Sequence, residues 1–311
     1  MKIIITGGLG HIGSMLIRLL PQFFSNPQIL IVDNLSTQRY CSYFKLPRNA
    51  SYQLIEQSVQ SCNFDGVLQH CDVLVHLAAI TDASSTADKR EQVFDNNLTA
   101  TQKVAEACLN YNVPLIFPSS TSVYGSQSNV VDELCTELQP QSPYAECKIQ
   151  EEQLLLHYEQ QGLRVAICRF GTIYGTSAGM RFHTAVNKFC WQAAMGQELT
   201  VWKTAMDQKR PYLCLRDAVR LICWIVDKQL YGKGIYNVVS GNHTVKEIIN
   251  IIKQKIPDLK IAFVEHRIMN QLSYEVSNQK TLNTEFTYDG NIMREIDDTL
   301  KILYNQLNCV L

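Results

Sequence analysis

The chain has 311 residues, of which 46% are hydrophobic and 18% are charged, and its formal net charge is −1. This composition predicts a globular protein with room for one large or two modest domains, and the near-neutral charge argues against a nucleic-acid or anionic-membrane partner. Eleven cysteines stand singly, without CxxC pairs or zinc-type histidine spacing, so we expect reduced thiols, no metal and a cytoplasmic chain. No targeting or transmembrane segment is predicted.

The first elements are a strand, a glycine-rich turn and a helix. The β-branched run MKIII leads into TGGLGHIG (residues 6–13), and apolar residues then recur at helical spacing. Gly7 permits the tight turn, Gly10 lets backbone N–H groups approach a pyrophosphate, and Gly13 lets the helix pack closely on the sheet. A diphosphate would lie at the N-terminus of this helix.

A second strand at 28–32 ends in Asp33, twenty residues after Gly13. An acidic side chain there accepts hydrogen bonds from both ribose hydroxyls of adenosine, and its charge would repel a 2′-phosphate. The glycine motif alone is weak evidence, but here it stands in the required strand–turn–helix–strand–acid context. The pattern therefore favours NAD binding over an incidental glycine-rich turn.

The alternation of strands and helices continues to about residue 170. Strands are expected at 52–55, 73–77, 115–117 and 164–169, and helices at 91–111 and 143–161. Continuous apolar runs are typical of strands that are buried on both faces of a parallel sheet. The predicted fold class is α/β, a doubly wound parallel sheet of the Rossmann type.

The second half of the chain is less regular. A strand at 212–215 before a helix at 217–229, and a strand at 235–239, are predicted to associate with the sheet, whereas 175–209 and 241–311 lack a βαβ rhythm. We expect an NAD-binding domain of residues 1–174 plus about 210–240, and a smaller substrate lobe of about 175–209 plus 241–311. A ligand cleft would lie between them.

Tyr144 and Lys148 are predicted on one face of a helix that Ser142 caps and Pro143 begins. A lysine ammonium near a phenol favours the phenolate, so we expect the pKa of Tyr144 to fall from about 10 towards working pH, which would make it a general base for a hydroxyl. Taken alone, the pair would more often be ordinary residues of an amphipathic helix.

The run PSSTSVYG (118–125) directly follows the strand at 115–117, at the edge of the sheet where ligands of such folds bind. A hydroxyl in this run would bridge the reacting oxygen and Tyr144. For Ser119 and Ser122 we expect only local hydrogen bonds to the backbone.

Together these motifs resemble the extended short-chain dehydrogenase/reductase family, the NAD-dependent nucleotide-sugar epimerases and dehydratases. The resemblance covers essentially the whole chain. Its other landmarks are HLAA (76–79), NN (96–97), YAECK (144–148), KRPY (209–212), LRD (215–217) and YNVVSG (236–241).

The resemblance implies roles for individual residues. Ser120 is the catalytic hydroxyl, Tyr144 the base, and Lys148 both tunes Tyr144 and holds the nicotinamide ribose. Arg210 and Arg267 grip the substrate diphosphate, and Trp202 either stacks on the nucleobase or belongs to the core. The implied cofactor-binding residues are Gly7, Gly10, His11, Ile12, Gly13, Asp33, Asn34, Ser58, Val59, Leu77, Ala78, Ala79, Asn97, Tyr144 and Lys148. The implied substrate-binding residues are Ser120, Thr121, Tyr144, Gly171, Val201, Trp202, Arg210 and Arg267.

Three departures from the family pattern bear on the adenine contact, the substrate and the reaction. Ser58 stands where many members have an aspartate that contacts adenine. Gly171 replaces an asparagine common in UDP-galactose 4-epimerases, so that substrate cannot be assumed. Thr121 and Ser122 stand where 4,6-dehydratases have acids, which disfavours dehydration and decarboxylation.

The expected function is therefore epimerisation at C4 of a nucleotide-linked hexose through a transient 4-keto intermediate. A 4-reductase or dehydrogenase would use the same residues and exchange its cofactor, a 4,6-dehydratase is less favoured, and a dinucleotide-sensing protein without catalysis is the alternative from another class. The resemblance also implies a homodimer formed by the helices at 91–111 and 143–161. The candidate side chains for that face, which could equally be core, are Ala105, Cys108, Leu154, Leu155 and Tyr158.

Overall fold

The computed structural model of the chain describes residues 1–81, 90–264 and 273–308. The strands are β1 (Lys2–Thr6), β2 (Gln28–Asp33), β3 (Ser51–Glu56), β4 (Val73–His76), β5 (Leu115–Ser120), β6 (Val130–Val131), β7 (Val165–Phe170), β8 (Thr172–Tyr174), β9 (Leu199–Trp202), β10 (Lys209–Cys214), β11 (Ile235–Val238), β12 (Gly241–Thr244), β13 (Ile261–Val264) and β14 (Glu275–Val276). The helices are α1 (His11–Phe23), α2 (Phe64–Val67), α3 (Arg90–Asn110), α4 (Pro143–Gln160), α5 (Ala185–Ala194), α6 (Leu215–Lys228), α7 (Val245–Lys255), α8 (Gln279–Leu282) and α9 (Ile292–Asn308).

The central sheet has seven parallel strands in the order β11-β7-β5-β4-β1-β2-β3. Alternate residues of β1 point to opposite faces: Ile3 and Ile5 join the core beside α1 and α6, whereas Ile4 joins the core beside α3 and α4. Helices therefore cover both faces, and β7 is buried along its whole length. The predicted doubly wound parallel sheet is confirmed.

The start of α4 follows its sequence signals. The Ser142 hydroxyl accepts a hydrogen bond from the Ala145 N–H at 3.2 Å, and Pro143 occupies the first turn. Proline suits this position because its missing N–H would have no partner within the helix. The cap thus fixes where the helix begins, and with it the positions of the residues one and two turns further on.

A second core lies beside a small sheet of three strands in the order β12-β10-β8. Strand β10, predicted to associate with the sheet, does not join the central sheet: it runs parallel to β8 and antiparallel to β12. Its Tyr212 and Cys214 side chains enter the second core and Leu213 enters the first, because neighbouring residues of a strand face opposite sides. The domain boundaries given above remain a prediction.

Within the described ranges, each helix is too short or too polar to cross a lipid bilayer.

Candidate active site

A cavity of about 1020 Å³ opens at the carboxyl ends of the central strands and extends to β9 and β10. Most of the predicted site residues line it. They are Gly7, Gly10, His11, Ile12, Gly13, Asp33, Asn34, Ser58, Val59, Leu77, Ala78, Ala79, Ser120, Tyr144, Lys148, Gly171, Val201, Trp202 and Arg210. Asn97 and Thr121 lie behind the lining, and Arg267 falls outside the described residues.

The glycine-rich turn brings the backbone to the cavity wall. Gly7 has φ +65°, and a Cβ there would lie 2.6 Å from the backbone nitrogen of Ala78. A Cβ on Gly13 would lie 2.6 Å from Gly8 Cα, so the helix packs on the turn only without a side chain. Gly10 is the N-cap of α1, whose N-terminus faces the cavity. This arrangement fits the pyrophosphate of a dinucleotide.

Asp33 ends β2 at the rim of the same cavity. Its two carboxylate oxygens accept backbone N–H groups, one from Leu9 at 3.0 Å and one from Leu35 at 2.9 Å. An ionised carboxylate has about four acceptor positions, so about two remain for ribose hydroxyls. The site residues therefore fit an adenosine ribose as well as the pyrophosphate.

The charges that line the cavity are unbalanced. Among the lining residues that the structure describes, Asp33 is the single aspartate or glutamate, whereas five are lysines or arginines: Arg39, Lys148, Arg181, Lys188 and Arg210. Excess positive charge in a cleft concentrates polyanions. The cavity is thus suited to ligands that carry several phosphates.

Asn97 supports the site without lining it. This buried side chain on α3 accepts a hydrogen bond from the Ile80 N–H at 2.8 Å and donates one to the Ile80 carbonyl at 2.9 Å. Both bonds fix the segment after β4, where Leu77 to Ile80 line the cavity. Asn97 therefore positions the cavity wall.

The reactive residues come from β5 and α4. Ser120 Oγ lies 2.8 Å from Ser122 Oγ and accepts the Ser122 N–H at 3.2 Å, a local contact of the turn after the strand. The expectation of only local backbone bonds is wrong for Ser119, whose buried hydroxyl donates a hydrogen bond to Glu152 Oε1 on α4. Lys148 Nζ lies 5.8 Å from the centre of the Tyr144 ring and 4.2 Å from the centre of the Phe117 ring. Ser120, Tyr144 and Lys148 all face the cavity.

The pKa of Tyr144 is raised above its ordinary value. Burial is the main cause; Lys148 and Arg181 lower the pKa, and Glu151 raises it. The predicted net lowering is therefore wrong for the polypeptide by itself, because the sequence showed the ammonium but neither the depth of burial nor the carboxylate beside it.

Sequence reasoning missed the lining residues Arg39, Arg181 and Lys188 and, behind Lys148, the buried Glu151. Its Oε2 lies 3.1 Å from Lys148 Nζ, and the two side chains are 1% and 3% exposed. Its Oε1 accepts a hydrogen bond from Thr101 Oγ1 at 2.6 Å, across the contact between α3 and α4. The available signal was its position three residues after Lys148, which places both on one helix face.

Two buried histidines near the site are neutral at physiological pH. His76 ends β4, where its Nδ1 lies 2.6 Å from Thr6 Oγ1; burial and then Lys148 lower its pKa to about 3. His11 begins α1, where its Nδ1 lies 2.8 Å from Ser177 Oγ; burial and then nearby cationic groups lower its pKa to about 3. Both are polar walls of the cavity that carry no charge.

The far end of the cavity is formed by β9 and β10. Val201 is buried in the second core, while Trp202 is half-buried and faces the cavity. A Cβ on Gly171 would lie 3.1 Å from the carbonyl oxygen of Pro211, so β10 leaves little room for a side chain there. Thr121 is buried and donates a hydrogen bond to the Phe170 carbonyl at 3.3 Å.

A family model identifies the protein family to which the chain belongs. The model described as "NAD dependent epimerase/dehydratase family" matches residues 3–239. The chain belongs to this family. Its cofactor is NAD, which agrees with the preference predicted from Asp33, and it is an enzyme of the epimerase/dehydratase group.

Relatives in this family differ in their reactions. The chain is 30% identical over 260 residues to an uncharacterised UDP-glucose epimerase of Bacillus subtilis, a match that covers 81% of this chain and 76% of that protein. It is also 30% identical over 260 residues to a UDP-N-acetyl-alpha-D-glucosaminuronate decarboxylase of Bacillus cytotoxicus, covering 81% and 79%.

A solved structure supports the fold. A UDP-glucuronic acid 4-epimerase variant from Bacillus cereus, in complex with NAD and UDP-4-deoxy-4-fluoro-glucuronic acid, matches with a TM-score of 0.90. The match covers 99% of this chain and all of that one, at 23% identity. At this identity the likeness shows the shared architecture.

Proposed function

We propose that this enzyme is a 4-epimerase of a nucleotide-linked hexose. One observation supports this reaction over dehydration: the polar residues that follow Ser120 are Thr121 and Ser122, and the single carboxylate among the described lining residues is Asp33. Elimination of water needs an acid and a base at the sugar. Epimerisation needs one group that takes up a proton and returns it.

Tyr144 would be that group. In the proposed reaction its phenolate oxygen takes the proton of the C4 hydroxyl and later returns it to the same oxygen, while Ser120 donates a hydrogen bond to that oxygen. When bound, NAD would supply the hydride acceptor and donor chemistry at C4, so that substrate and product have the same oxidation state and differ in configuration at C4. General acid–base catalysis of this kind contributes roughly 10² to 10⁴ in rate.

The other lining residues would hold the two ligands. Lys148 would bind the nicotinamide ribose, the turn from Gly7 to Gly13 the pyrophosphate, and Asp33 the adenosine ribose. Arg210, on β10 at the far end, would bind the sugar-nucleotide diphosphate. The excess of lysine and arginine over acid matches the combined charge of two diphosphates.

The test starts from the purified protein. Denaturation should release NAD, and the intact enzyme should interconvert one 4-epimer pair from a panel of nucleotide hexoses without net formation of NADH. UDP-hexoses enter the panel first, because the relatives described above are named for UDP-sugars. A net change in NADH with an oxidised or reduced sugar would indicate a dehydrogenase or reductase instead. A 4-keto-6-deoxy product would contradict the inference from Thr121 and Ser122.

We also propose that the enzyme is a cytoplasmic homodimer that pairs through α3 and α4. Of the candidate interface residues, Ala105, Cys108 and Leu155 are buried in the core. Leu154 and Tyr158 are half-buried, and Tyr158 packs against the same core. The cysteines among the described residues are free thiols, as suits a reducing compartment. Light scattering after gel filtration tests the dimer, and Leu154→Glu should shift it to monomer.

A further inference from the structure

The Lys148 ammonium is paired before any ligand binds. Its Nζ lies 3.1 Å from Glu151 Oε2, and both side chains are almost fully buried. The ring of Phe117 covers the ammonium, with its centre 4.2 Å from Nζ. The lysine that would serve the nicotinamide ribose is therefore anchored from behind by a carboxylate.

The carboxylate is itself held in place from a second helix. Thr101 on α3 donates a hydrogen bond of 2.6 Å to Glu151 Oε1, the oxygen that does not contact Lys148. A buried ion pair compensates its desolvation only where geometry is good and remaining lone pairs are satisfied. Both conditions hold here, so the position of Lys148 Nζ depends on α3 as well as α4.

The groups that act on Tyr144 come from several elements. Lys148, Cys147 and Glu151 belong to α4, and Arg181 follows β8. Burial and then Glu151 raise the pKa of the Cys147 thiol to about 12, so it stays neutral. His76 on β4 also stays neutral, since burial and then Lys148 lower its pKa to about 3. Glu151 thus supplies the carboxylate whose effect on the pKa of Tyr144 opposes that of Lys148.

We propose that Glu151 is a positioning residue that fixes the Lys148 ammonium and sets the pH at which the Tyr144–Lys148 pair loses its first proton. The role deepens the proposed function, on which its catalytic consequence rests. With Glu151 in place, its charge offsets part of the effect of the Lys148 ammonium on Tyr144, and the phenol keeps its proton to higher pH than the ammonium by itself would allow.

The decisive variant is Glu151→Gln, which removes the negative charge and keeps the side-chain volume. The Tyr144–Lys148 pair should then lose its first proton at a pH lower by about one unit or more. The acid limb of the kcat profile should move by the same amount. The tyrosinate absorbance of Tyr144, obtained by subtracting the titration of a matched Tyr144→Phe protein, should move with it.

Two further variants separate charge from structure. Thr101→Val keeps the charge of Glu151 but removes its hydrogen bond, so we expect a lower Tm and an acid limb that moves much less than in Glu151→Gln. Glu151→Asp keeps the charge but withdraws it by one methylene, so the limb should move part of the way. Should Glu151→Gln fail to fold, the Asp variant decides: a shift to lower pH supports the role of Glu151, and an unchanged limb overturns it.

The tyrosinate titration does not depend on which sugar the enzyme uses. If Tyr144 titrates at lower pH in Glu151→Gln but the unmodified enzyme has no epimerase activity, the role of Glu151 is upheld and the proposed function is contradicted. If the unmodified enzyme is an epimerase but Glu151→Gln leaves both the acid limb and the Tyr144 titration unchanged, the proposed function is upheld and the role of Glu151 is contradicted. Equal limb shifts in Glu151→Gln and Thr101→Val would also overturn the proposal, because they would indicate a structural effect.

Discussion

Arg169 Nη2 lies 2.7 Å from Glu152 Oε2 in an ion pair whose two side chains are each 4% exposed. A second pair, Arg90 with Glu146, has the same separation of 2.7 Å, but its side chains are 60% and 37% exposed. Both glutamates belong to α4. The two pairs differ in the exposure of their charges to solvent, so the distance between the charges does not by itself determine what each pair contributes to the free energy of unfolding.

Glu152→Gln should lower the free energy of unfolding by about 3–5 kcal/mol, because it leaves the Arg169 guanidinium buried without its charge partner. Glu146→Gln should cost at most about 1 kcal/mol, since water solvates the Arg90 that it leaves behind. Urea unfolding of both variants measures the two changes. Similar losses would contradict the role assigned to burial.

Tyr144→Phe should lower kcat by roughly 10² to 10⁴ because the proton carrier is gone, with the NAD content and Tm near those of the unmodified enzyme. Tyr158→Phe is the matched control on the same helix, since its hydroxyl bonds to Glu106 and lies outside the cavity lining. Full turnover in Tyr144→Phe would refute the assigned base.

Gly13→Ala should destabilise the protein by about 1–3 kcal/mol and reduce the NAD content, because the new Cβ would lie 2.6 Å from Gly8 and push α1 from the turn. Gly66→Ala, in α2, is the control: a Cβ there meets nothing within 4 Å, so the substitution should raise stability by about 0.4–1 kcal/mol. Thermal unfolding and cofactor release measure both. An intact cofactor content in Gly13→Ala would contradict the tight packing of α1 on the turn.

Because the buried His76 is neutral, the free energy of unfolding should fall as the solution becomes acidic. Burial and then Lys148 lower its folded pKa to about 3, whereas an unfolded histidine titrates near 6.5. As pH falls, the His76 imidazole therefore binds a proton in the unfolded chain at a higher pH than in the folded chain. The stabilisation is complete above about pH 6.5 and is lost towards pH 3, at about 1.4 kcal/mol per pH unit.

The His76→Phe variant isolates this contribution. Relative to the variant, the unmodified protein should lose about 2 kcal/mol of unfolding free energy between pH 7 and pH 5. Urea titrations of both proteins at the two pH values provide the measurement. A difference that stays constant would mean that the pKa of His76 is the same in the folded and the unfolded chain.

Much of the fold could be predicted from local patterns. All seven central strands, the glycine turn, the acid at the end of β2 and the cap at Ser142 were predicted, because each depends on residues close together in the chain. Strand β10 shows where this reasoning ends. Its residues predict a buried strand, but its partners β8 and β12 are distant in sequence. The local pattern therefore did not distinguish a strand of the small sheet from a strand of the central sheet.

The sequence by itself determined the types of residue at the site and the cofactor they suit, since glycine conformation, helix spacing and carboxylate charge are properties of short segments. Only the tertiary structure decided the electrostatics of Tyr144. Its pKa depends on burial, on Arg181 and on a carboxylate that Thr101 holds from another helix. Desolvation and charge interactions depend on distances across the folded chain, and the order of residues does not state those distances.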